Sequence, residues 1–174
     1  MTIEATDTQQ QSPMTKPEPQ KEHQWLKKLL GEWTFEGQAM MGPDAPPQKF
    51  KGTERVRSLA DLWFLCDGEG EIPGGGASTT IATLGYDAQK KRFVGTFIGS
   101  MMTNLWVYDG ALDASEKVLT LDTEGPSMTG DGKTAKYQDV IEIVSDDQRT
   151  LTSRVQGDDG QWTQIMKMTY RRTR

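Results

Sequence analysis

From Trp33 onward, apolar and polar residues of the 174-residue chain alternate, and residues that favour tight turns interrupt the alternation at short intervals. Members of one apolar face recur two residues apart in several segments: Trp33 and Phe35; Phe93, Gly95 and Phe97; Leu119 and Leu121; Ile141 and Ile143. The interrupting residues are types that tolerate the backbone conformations of tight turns, as in Asp131-Gly132 and Asp158-Asp159-Gly160. This pattern is typical of an antiparallel meander and disfavours a fold of alternating strands and helices.

The turns divide this region into predicted strands at about 33-40, 50-59, 62-71, 77-86, 91-99, 103-112, 116-124, 135-145, 149-157 and 161-171. A sheet of roughly ten strands twists and curls, and its single apolar face must be covered. The predicted fold is therefore all-β: an antiparallel, roughly ten-stranded closed barrel. Glycines inside strands, such as Gly95 and Gly99, would let a strand bend sharply at a corner of this barrel.

The segment before the strands has a different composition. Residues 1-20 contain three consecutive glutamines and three prolines with little apolar surface, which predicts a disordered leader. An apolar stripe at helical spacing follows, made of Trp25, Leu26, Leu29 and Leu30. It predicts a short helix that Gly31 ends. Residues 21-174 are expected to form one barrel domain, because a chain of 19.4 kDa fits one domain.

Charge and cysteine content narrow the function classes. The formal net charge is -5 and the basic residues are scattered, so the sequence does not favour a nucleic-acid partner. No apolar run approaches the roughly 20 residues that cross a bilayer, so we expect no membrane partner. The single cysteine, Cys66, excludes an intramolecular disulfide framework and a zinc site of the usual spacing, and it suits a cytoplasmic location.

Aromatic and methionine side chains are the most suggestive functional feature, because they can form the walls of a cavity for a small apolar molecule. The predicted wall residues are Trp63, Phe97, Met101, Trp106, Tyr108, Met166, Met168 and Tyr170. In the last strand, alternation places Trp162 on the same face as Met166. The leading hypothesis is a non-enzymatic barrel that binds a small apolar or amphipathic molecule at its open mouth; the alternative is that these side chains only fill the core.

Acidic residues support a second hypothesis, an acid-base enzyme. Asp67, Glu69 and Glu71 share one strand face, where like charges could raise a carboxyl pKa, although a solvated row is the commoner situation. Asp139 has the parity of its apolar neighbours, so its carboxylate is predicted to point inward and to orient a ligand. An inward carboxylate needs a partner. Arg55 and Arg57 are candidates, but no residue is assigned as catalytic.

A third hypothesis is self-association, a possible homodimer, through an edge strand or through an outer apolar face that includes Leu105 and Val107.

Three other features are predicted to be structural. The only histidine, His23, precedes the strands and is predicted to be a solvated helix residue, which argues against haem ligation and histidine-based catalysis. Cys66 is expected to pack as a small, inert apolar group. Gly74-Gly75-Gly76 lacks the lysine and helix of a phosphate-binding loop and is predicted to be a hairpin loop. No cofactor and no metal are assigned.

Several short strings carry a family resemblance: Leu30-Gly31-Glu32-Trp33, Leu84-Gly85-Tyr86-Asp87, Gly110-Ala111-Leu112-Asp113, Asp159-Gly160 and Thr169-Tyr170-Arg171-Arg172. Their order and spacing resemble the bacterial domain-of-unknown-function family 1579, over about residues 25-172. The resemblance implies a lipocalin-like, calycin-type barrel with no established activity. One departure is Phe97-Ile98-Gly99, which stands where members of that family tend to have an aromatic residue, one further residue and then aspartate.

Overall fold

The computed structural model describes residues 15-174, in which a short helix precedes ten antiparallel strands. The helix α1 spans Lys21–Leu26 and continues into a 3-10 turn at Lys27–Leu29. The strands are β1 (Gly31–Ala39), β2 (Gln48–Leu59), β3 (Trp63–Glu71), β4 (Ala77–Asp87), β5 (Arg92–Gly99), β6 (Trp106–Leu112), β7 (Val118–Pro126), β8 (Thr134–Ser145), β9 (Gln148–Gln156) and β10 (Trp162–Arg172). Most of the predicted leader, residues 1-14, lies outside the described residues.

The strands form one closed barrel in which each pairs with its neighbours in the chain and β1 pairs with β10. The closing ladder runs from Trp33 opposite Arg172 to Ala39 opposite Met166. This arrangement confirms the predicted all-β closed barrel with a short N-terminal helix. Because every described strand pairs with a neighbour on both sides, none of them is a free edge along its whole length, which disfavours the edge-strand form of the self-association hypothesis.

The helix closes one end of the barrel, which we call the closed end. Three apolar side chains are buried there against the inward-facing residues of the strands: Trp25, Leu26 and Leu29. The indole N–H of Trp25 donates to the carbonyl of Glu116 at 2.7 Å, and its ring meets Phe93 edge to face. These contacts fix the helix across the barrel, so this end is not accessible to a ligand.

The guanidinium of Arg172 fastens the segment before β1 to the last strand. It donates to the carbonyl of Lys28 at 2.8 Å and to the carbonyl of Leu30, and it lies 4.1 Å above the Trp33 ring. These contacts hold the chain that leads from the helix into β1 against the end of β10.

The opposite end, which we call the open end, has no such cover among the described residues. The inward-facing side chains there are partly exposed, as at Phe97, Trp106, Val155 and Met166, whereas inward residues near the closed end are buried. A ligand could therefore reach the interior from this side of the barrel.

Strand β10 contains a bulge that changes which side chains face inward. Its register with β9 shifts between Gln164 and Met166. Met166 pairs with Ser153, and both side chains point inward. Before the bulge, Gln164 pairs with Arg154 and Trp162 pairs with Gln156, and these side chains point outward. The prediction that Trp162 shares a face with Met166 is therefore wrong, because one extra residue in a strand inverts the alternation.

His23 is buried, with 4% of its surface exposed, which contradicts the prediction of a solvated histidine. Its Nδ1 accepts a hydrogen bond from the backbone N–H of Gln20 at 2.9 Å, and its ring meets Tyr86 edge to face. The side chain caps the start of α1 and packs against the barrel, so its role is structural.

The prediction of a hairpin loop at Gly74-Gly75-Gly76 agrees with the structure. Gly74, Gly75 and Gly76 all have positive φ in the hairpin loop between β3 and β4, where Ile72 and Gly76 are hydrogen bonded. Within residues 15-174, no helix is long and apolar enough to cross a membrane.

Candidate functional site

Asp139 is the centre of a polar cluster on the inner face of the barrel. It lies on β8 between Tyr137 and Ile141, which are buried, and its side chain points inward as predicted. Tyr108 of β6 donates its hydroxyl hydrogen to Oδ2, and Ser153 of β9 donates to Oδ1. Each carboxylate oxygen thus receives one hydrogen bond from a neutral donor.

Burial raises the pKa of Asp139 above its ordinary value, and the hydrogen bonds from Ser153 and Tyr108 oppose that change. Burial also raises the pKa of Tyr108 well above its usual range, and the nearby Asp139 carboxylate acts in the same direction. Tyr108 is therefore a fixed hydrogen-bond donor. Asp139 can accept further hydrogen bonds, and the carboxylate would gain most from a cationic or strongly donating ligand group.

The cationic partners predicted for Asp139 are elsewhere. Arg55 and Arg57 lie on the outer face of β2, where Nε of Arg57 is 3.3 Å from Oδ2 of Asp67. Both side chains of that ion pair are about half exposed. The proposed pairing of Asp139 with these arginines is wrong, because the alternation of β2 is set by the buried Phe50 and Val56.

Five predicted wall residues besides Tyr108 do face the interior: Phe97, Trp106, Met166, Met168 and Tyr170. Tyr170 and Met168 are buried, and the Tyr170 hydroxyl contacts the Met168 sulfur at 3.6 Å. Phe97 and Trp106 are opposite each other in the β5–β6 ladder and lie near the open end. These side chains form an apolar wall around the Asp139 cluster.

Trp63 and Met101 do not belong to this wall. Trp63 is 42% exposed on the outer face of β3, and its ring covers Gly85. Met101 follows β5 in a loop at the open end, with its sulfur against Gly99, and is 40% exposed. The Trp63 prediction is wrong because β3 begins with four consecutive apolar residues, so its alternation is ambiguous in the sequence.

The acidic row also faces outward. Phe64 and Cys66 are the buried, inward residues of β3, so Asp67, Glu69 and Glu71 lie in the opposite phase. An acid-base site needs two carboxylates that converge on one pocket. The version of that hypothesis that uses Asp67 or Glu69 is therefore wrong.

A buried ion pair inside the barrel escaped the sequence analysis. Arg149 of β9 contacts Glu54 of β2, and its guanidinium lies 3.8 Å from the Tyr170 ring centroid and 4.8 Å from that of Trp33. The alternation does indicate that both side chains point inward, because Glu54 is two residues from Val56 and Arg149 is two residues from Leu151, and residues two apart in a strand share a face. Arg149 is paired with Glu54 and stacked on two rings, so its charge has a structural role, although its buried Nε–H has no hydrogen-bond partner.

Cys66 is buried in the core, and burial raises the pKa of its thiol, in agreement with the predicted inert role. Within the described part of the chain, no group of three or more His, Cys, Asp or Glu side chains is placed to hold a metal ion.

Two surface cavities accompany the barrel. A polar groove of about 1340 Å³ crosses the outer faces of β1, β2 and β10, with Glu36, Lys51 and Lys167 among its lining residues. A smaller cleft of about 580 Å³ lies over β6, β7 and β8, and Trp162 borders it. The second volume falls within the usual range for small-molecule sites.

A family model described as Protein of unknown function (DUF1579) matches residues 18-172. The chain belongs to the DUF1579 family. The sequence resemblance noted above over about residues 25-172 is thereby confirmed, and the barrel described here is the structure of a DUF1579 member. No curated protein matches this DUF1579 chain in sequence.

Solved structures share the fold of this DUF1579 protein at low identity. Rv2717c from M. tuberculosis is 12% identical with a TM-score of 0.60, and the match covers 90% of this chain and 100% of that one. The S-type phycobiliprotein lyase CPES from Guillardia theta is 13% identical with a TM-score of 0.53, covering 91% and 99%. A protein named EF1p2_mFAP2b, bound to DFHBI, is 16% identical with a TM-score of 0.47, covering 87% and 98%. At these identities the first two similarities, with TM-scores above 0.5, show a common barrel fold.

Proposed function

We propose that this DUF1579 protein binds a small amphipathic molecule in the open half of its barrel, with Asp139 as the polar anchor. The observation that carries the proposal is the Asp139 cluster itself. A partly buried carboxylate that is held by Tyr108 and Ser153 inside an apolar wall needs a reason to be there, because burying it is costly.

The surroundings of the cluster support a ligand of mixed character. Phe97, Met166 and Met168 supply an apolar wall that can adapt its shape, since methionine side chains are flexible. Asp139 supplies an acceptor for an N–H or O–H group of the ligand. A flat apolar molecule with one donor group fits this combination.

The fold is consistent with such a role. A barrel of about ten strands is wide enough that side chains alone need not fill it. The helix blocks the closed end through Trp25 and Leu29, so a ligand would occupy the half of the interior nearer the open end.

The test is a fluorescence titration with N-phenyl-1-naphthylamine, a lipophilic probe that carries one N–H donor. We expect saturable binding by the unmodified protein and a roughly ten- to hundredfold weaker affinity for Asp139→Asn, because a hydrogen bond to a charged group contributes about 1.5 to 3 kcal/mol. Glu142→Gln is the matched control, since Glu142 is an exposed, outward-facing carboxylate on the same strand.

Two outcomes would overturn the proposal. Fluorescence that rises linearly with probe concentration would mean that no defined site exists. Equal affinity of Asp139→Asn and the unmodified protein would remove Asp139 as the anchor. Competition by ligands with and without a donor group would then define the class of molecule that the site prefers.

A homodimer through an outer apolar face is a second proposal, and it competes with any ligand route that crosses that face. Leu105 and Val107 are 56% and 59% exposed on neighbouring outward positions, which is unusual for large apolar side chains this close together. Sedimentation equilibrium tests it: a monomer at all concentrations would remove it, whereas dissociation caused by Val107→Asp would support it. A cytoplasmic location, suggested by the single cysteine, stays a prediction.

A further inference from the structure

The barrel wall is incomplete between β6 and β7. Their ladder contains only four residue pairs, from Asp109 opposite Asp122 to Leu112 opposite Leu119. Towards the open end, β6 continues to Trp106 paired with β5, and β7 continues to Pro126 paired with β8, but the two strands do not pair with each other there. The sheet is thus split along its length on one side of the open end.

The side chain of Trp106 fills this split. A Cβ atom on Gly125 of β7 would lie 2.2 Å from the Trp106 ring, so the indole rests directly on the backbone of the opposite strand. The ring also meets Tyr137 edge to face at 5.0 Å, and its N–H donates to the sulfur of Met102 at 2.9 Å. Trp106 is partly exposed, and the one hydrogen bond of its indole goes to a flexible loop methionine, so a rotation about its side-chain bonds would break packing contacts and this single hydrogen bond.

The cleft of about 580 Å³ lies over the outer side of the split, where Val107 of β6 and Glu124 of β7 line it. Its lining includes Leu105 and Val107 from the outer face, but also Thr123 and Tyr137, which belong to the inward phases of β7 and β8. The cleft therefore reaches from the outer face to inward-phase residues at the split. It leads towards Tyr108 and Asp139, since Tyr108 is the next inward residue after Trp106 on β6 and Asp139 is the next after Tyr137 on β8.

Thr123 gives the cleft an unused polar group. Only 8% of its surface is exposed, and its hydroxyl has no hydrogen-bond partner. A buried hydroxyl without a partner costs about 1 to 3 kcal/mol, so such groups commonly have a ligand or a water as their partner in use. This one lines the cleft beside the plug that Trp106 forms.

The charges around the cleft are mainly acidic. Asp109, Asp122 and Glu124 line it, together with a single cation, Lys136. Arg92 pairs with Asp109 from one side, and Gln138 donates to Asp122, which leaves Glu124 opposite Lys136 in the ladder. An anion that approached this rim would meet carboxylates first, and farther in it would meet Asp139.

We infer that the ligand enters the barrel sideways through the β6–β7 cleft, with Trp106 as a movable gate and Thr123 as its first polar contact, and that the cleft admits neutral or cationic amphipathic molecules in preference to anions. This inference rests on the proposed function, because a gate requires a ligand site behind it. It adds a route and a charge preference that the Asp139 cluster alone does not specify.

The first test closes the cleft and measures the association rate. Continuing the β6–β7 register places Val107 opposite Glu124 on the outer face, so both are changed to cysteine and joined with dibromobimane. Cys66 is buried, so the reagent reacts with the engineered thiols. In stopped-flow mixing with N-phenyl-1-naphthylamine, we expect association to slow by about tenfold or more, because a closed gate limits access.

Matched variants separate the side route from the open end. Each single cysteine variant, alkylated, controls for bulk at the surface and should bind at the unmodified rate. Ala39→Trp narrows the open end at an inward position of β1 and should also leave the rate unchanged. Trp106→Ala removes the gate and part of the apolar wall, so we expect association to accelerate by about five- to tenfold and dissociation to accelerate by at least as much.

The charge preference is tested with a pair of probes on one skeleton. 8-Anilinonaphthalene-1-sulfonate carries a sulfonate that N-phenyl-1-naphthylamine lacks. We expect the sulfonate to associate at least about tenfold more slowly, and we expect Glu124→Gln with Asp122→Asn to narrow that difference, because like charges at the rim slow the approach of an anion.

The outcomes distinguish this inference from the proposed function. Absence of saturable binding by the unmodified protein would overturn both. Normal affinity with an unchanged rate in the cross-linked variant, or a rate reduced only by Ala39→Trp, would overturn the side route and leave the Asp139 site standing. An association rate that falls as protein concentration rises would show that a second copy covers the cleft, which also contradicts the inference.

Discussion

Arg149 and Glu54 form an ion pair inside the barrel, although β10 and β1 separate the strands that carry them. The pair spans the interior, and Arg149 is stacked between the Trp33 and Tyr170 rings. It ties the two sides of the closing seam together through the core, in addition to the backbone ladders.

Removing one partner of this pair should be strongly destabilising. We expect Glu54→Gln to lower the free energy of unfolding by about 3 to 5 kcal/mol, because it leaves a buried charge without a partner. Urea denaturation measures the change. Asp67→Asn is the matched control: it breaks the exposed pair with Arg57 and should cost about 1 kcal/mol or less. Equal losses in the two variants would mean that Arg149 finds another partner.

Asp139 should make stability depend on pH. Because its pKa is raised in the folded state, its favourable contribution is fully present below the ordinary aspartate pKa and is lost as pH rises through the folded value. We expect the wild-type protein to lose stability relative to Asp139→Asn over that interval, by about 1.4 kcal/mol for each unit of the pKa difference. Urea unfolding of both proteins at a series of pH values measures this. A constant difference between them would show that Asp139 keeps its ordinary pKa.

The unpartnered hydroxyl of Thr123 should reduce stability in the absence of ligand. Thr123→Val keeps the shape of the side chain and removes the group, so we expect unfolding to become about 1 kcal/mol less favourable. The same variant should weaken the binding of N-phenyl-1-naphthylamine if the hydroxyl contacts the ligand. Ser153→Val is the contrasting variant, since it removes a hydroxyl that is hydrogen bonded to Asp139 and should be destabilised. A less stable Thr123→Val protein would indicate that a water satisfies the hydroxyl.

Two glycines on the inner face of β5 should differ sharply in their tolerance of alanine. A Cβ on Gly95 would lie 2.0 Å from the carbonyl oxygen of Thr83, whereas a Cβ on Gly99 would clash only with the end of the Met101 side chain and would make an ordinary contact with Thr80. We expect Gly95→Ala to cost about 2 to 3 kcal/mol, because the backbone of β4 must move, and Gly99→Ala to cost less than about 1 kcal/mol. Thermal denaturation of the two variants compares them. Similar melting temperatures would show that β4 yields easily at Thr83.

The positions of the strands can be predicted from the sequence because the alternation of apolar residues and the positions of turn-forming residues agree along most of the chain. In β7 and β8, for example, Leu119, Leu121 and Ile141 mark the inner face without ambiguity, and the structure confirms it. The inward position of Asp139 followed from the same regularity. Its partners Tyr108 and Ser153 could not be found in this way, because alternation predicts faces but not the distance between side chains on different strands.

The failures have local physical causes. The face predicted for Trp162 is wrong because the break in the alternation at Gln164 and Ile165 is a bulge, which inverts the phase of the residues before it. Trp63 was misplaced because apolar residues occupy both faces at the start of β3. The split between β6 and β7 could not be predicted from the sequence for a different reason. Both strands keep their alternation there, and alternation does not report whether two neighbouring strands are hydrogen bonded to each other.

The pairing of β1 with β10 determines when the barrel can close during synthesis of the chain. A ribosome produces β1 early and β10 last, so the outer edge of β1 has no partner until residue 172 has emerged from the exit tunnel. A nascent chain that stalls before Trp162 is a curved sheet with two bare margins, each a template on which neighbouring polypeptides can add a strand.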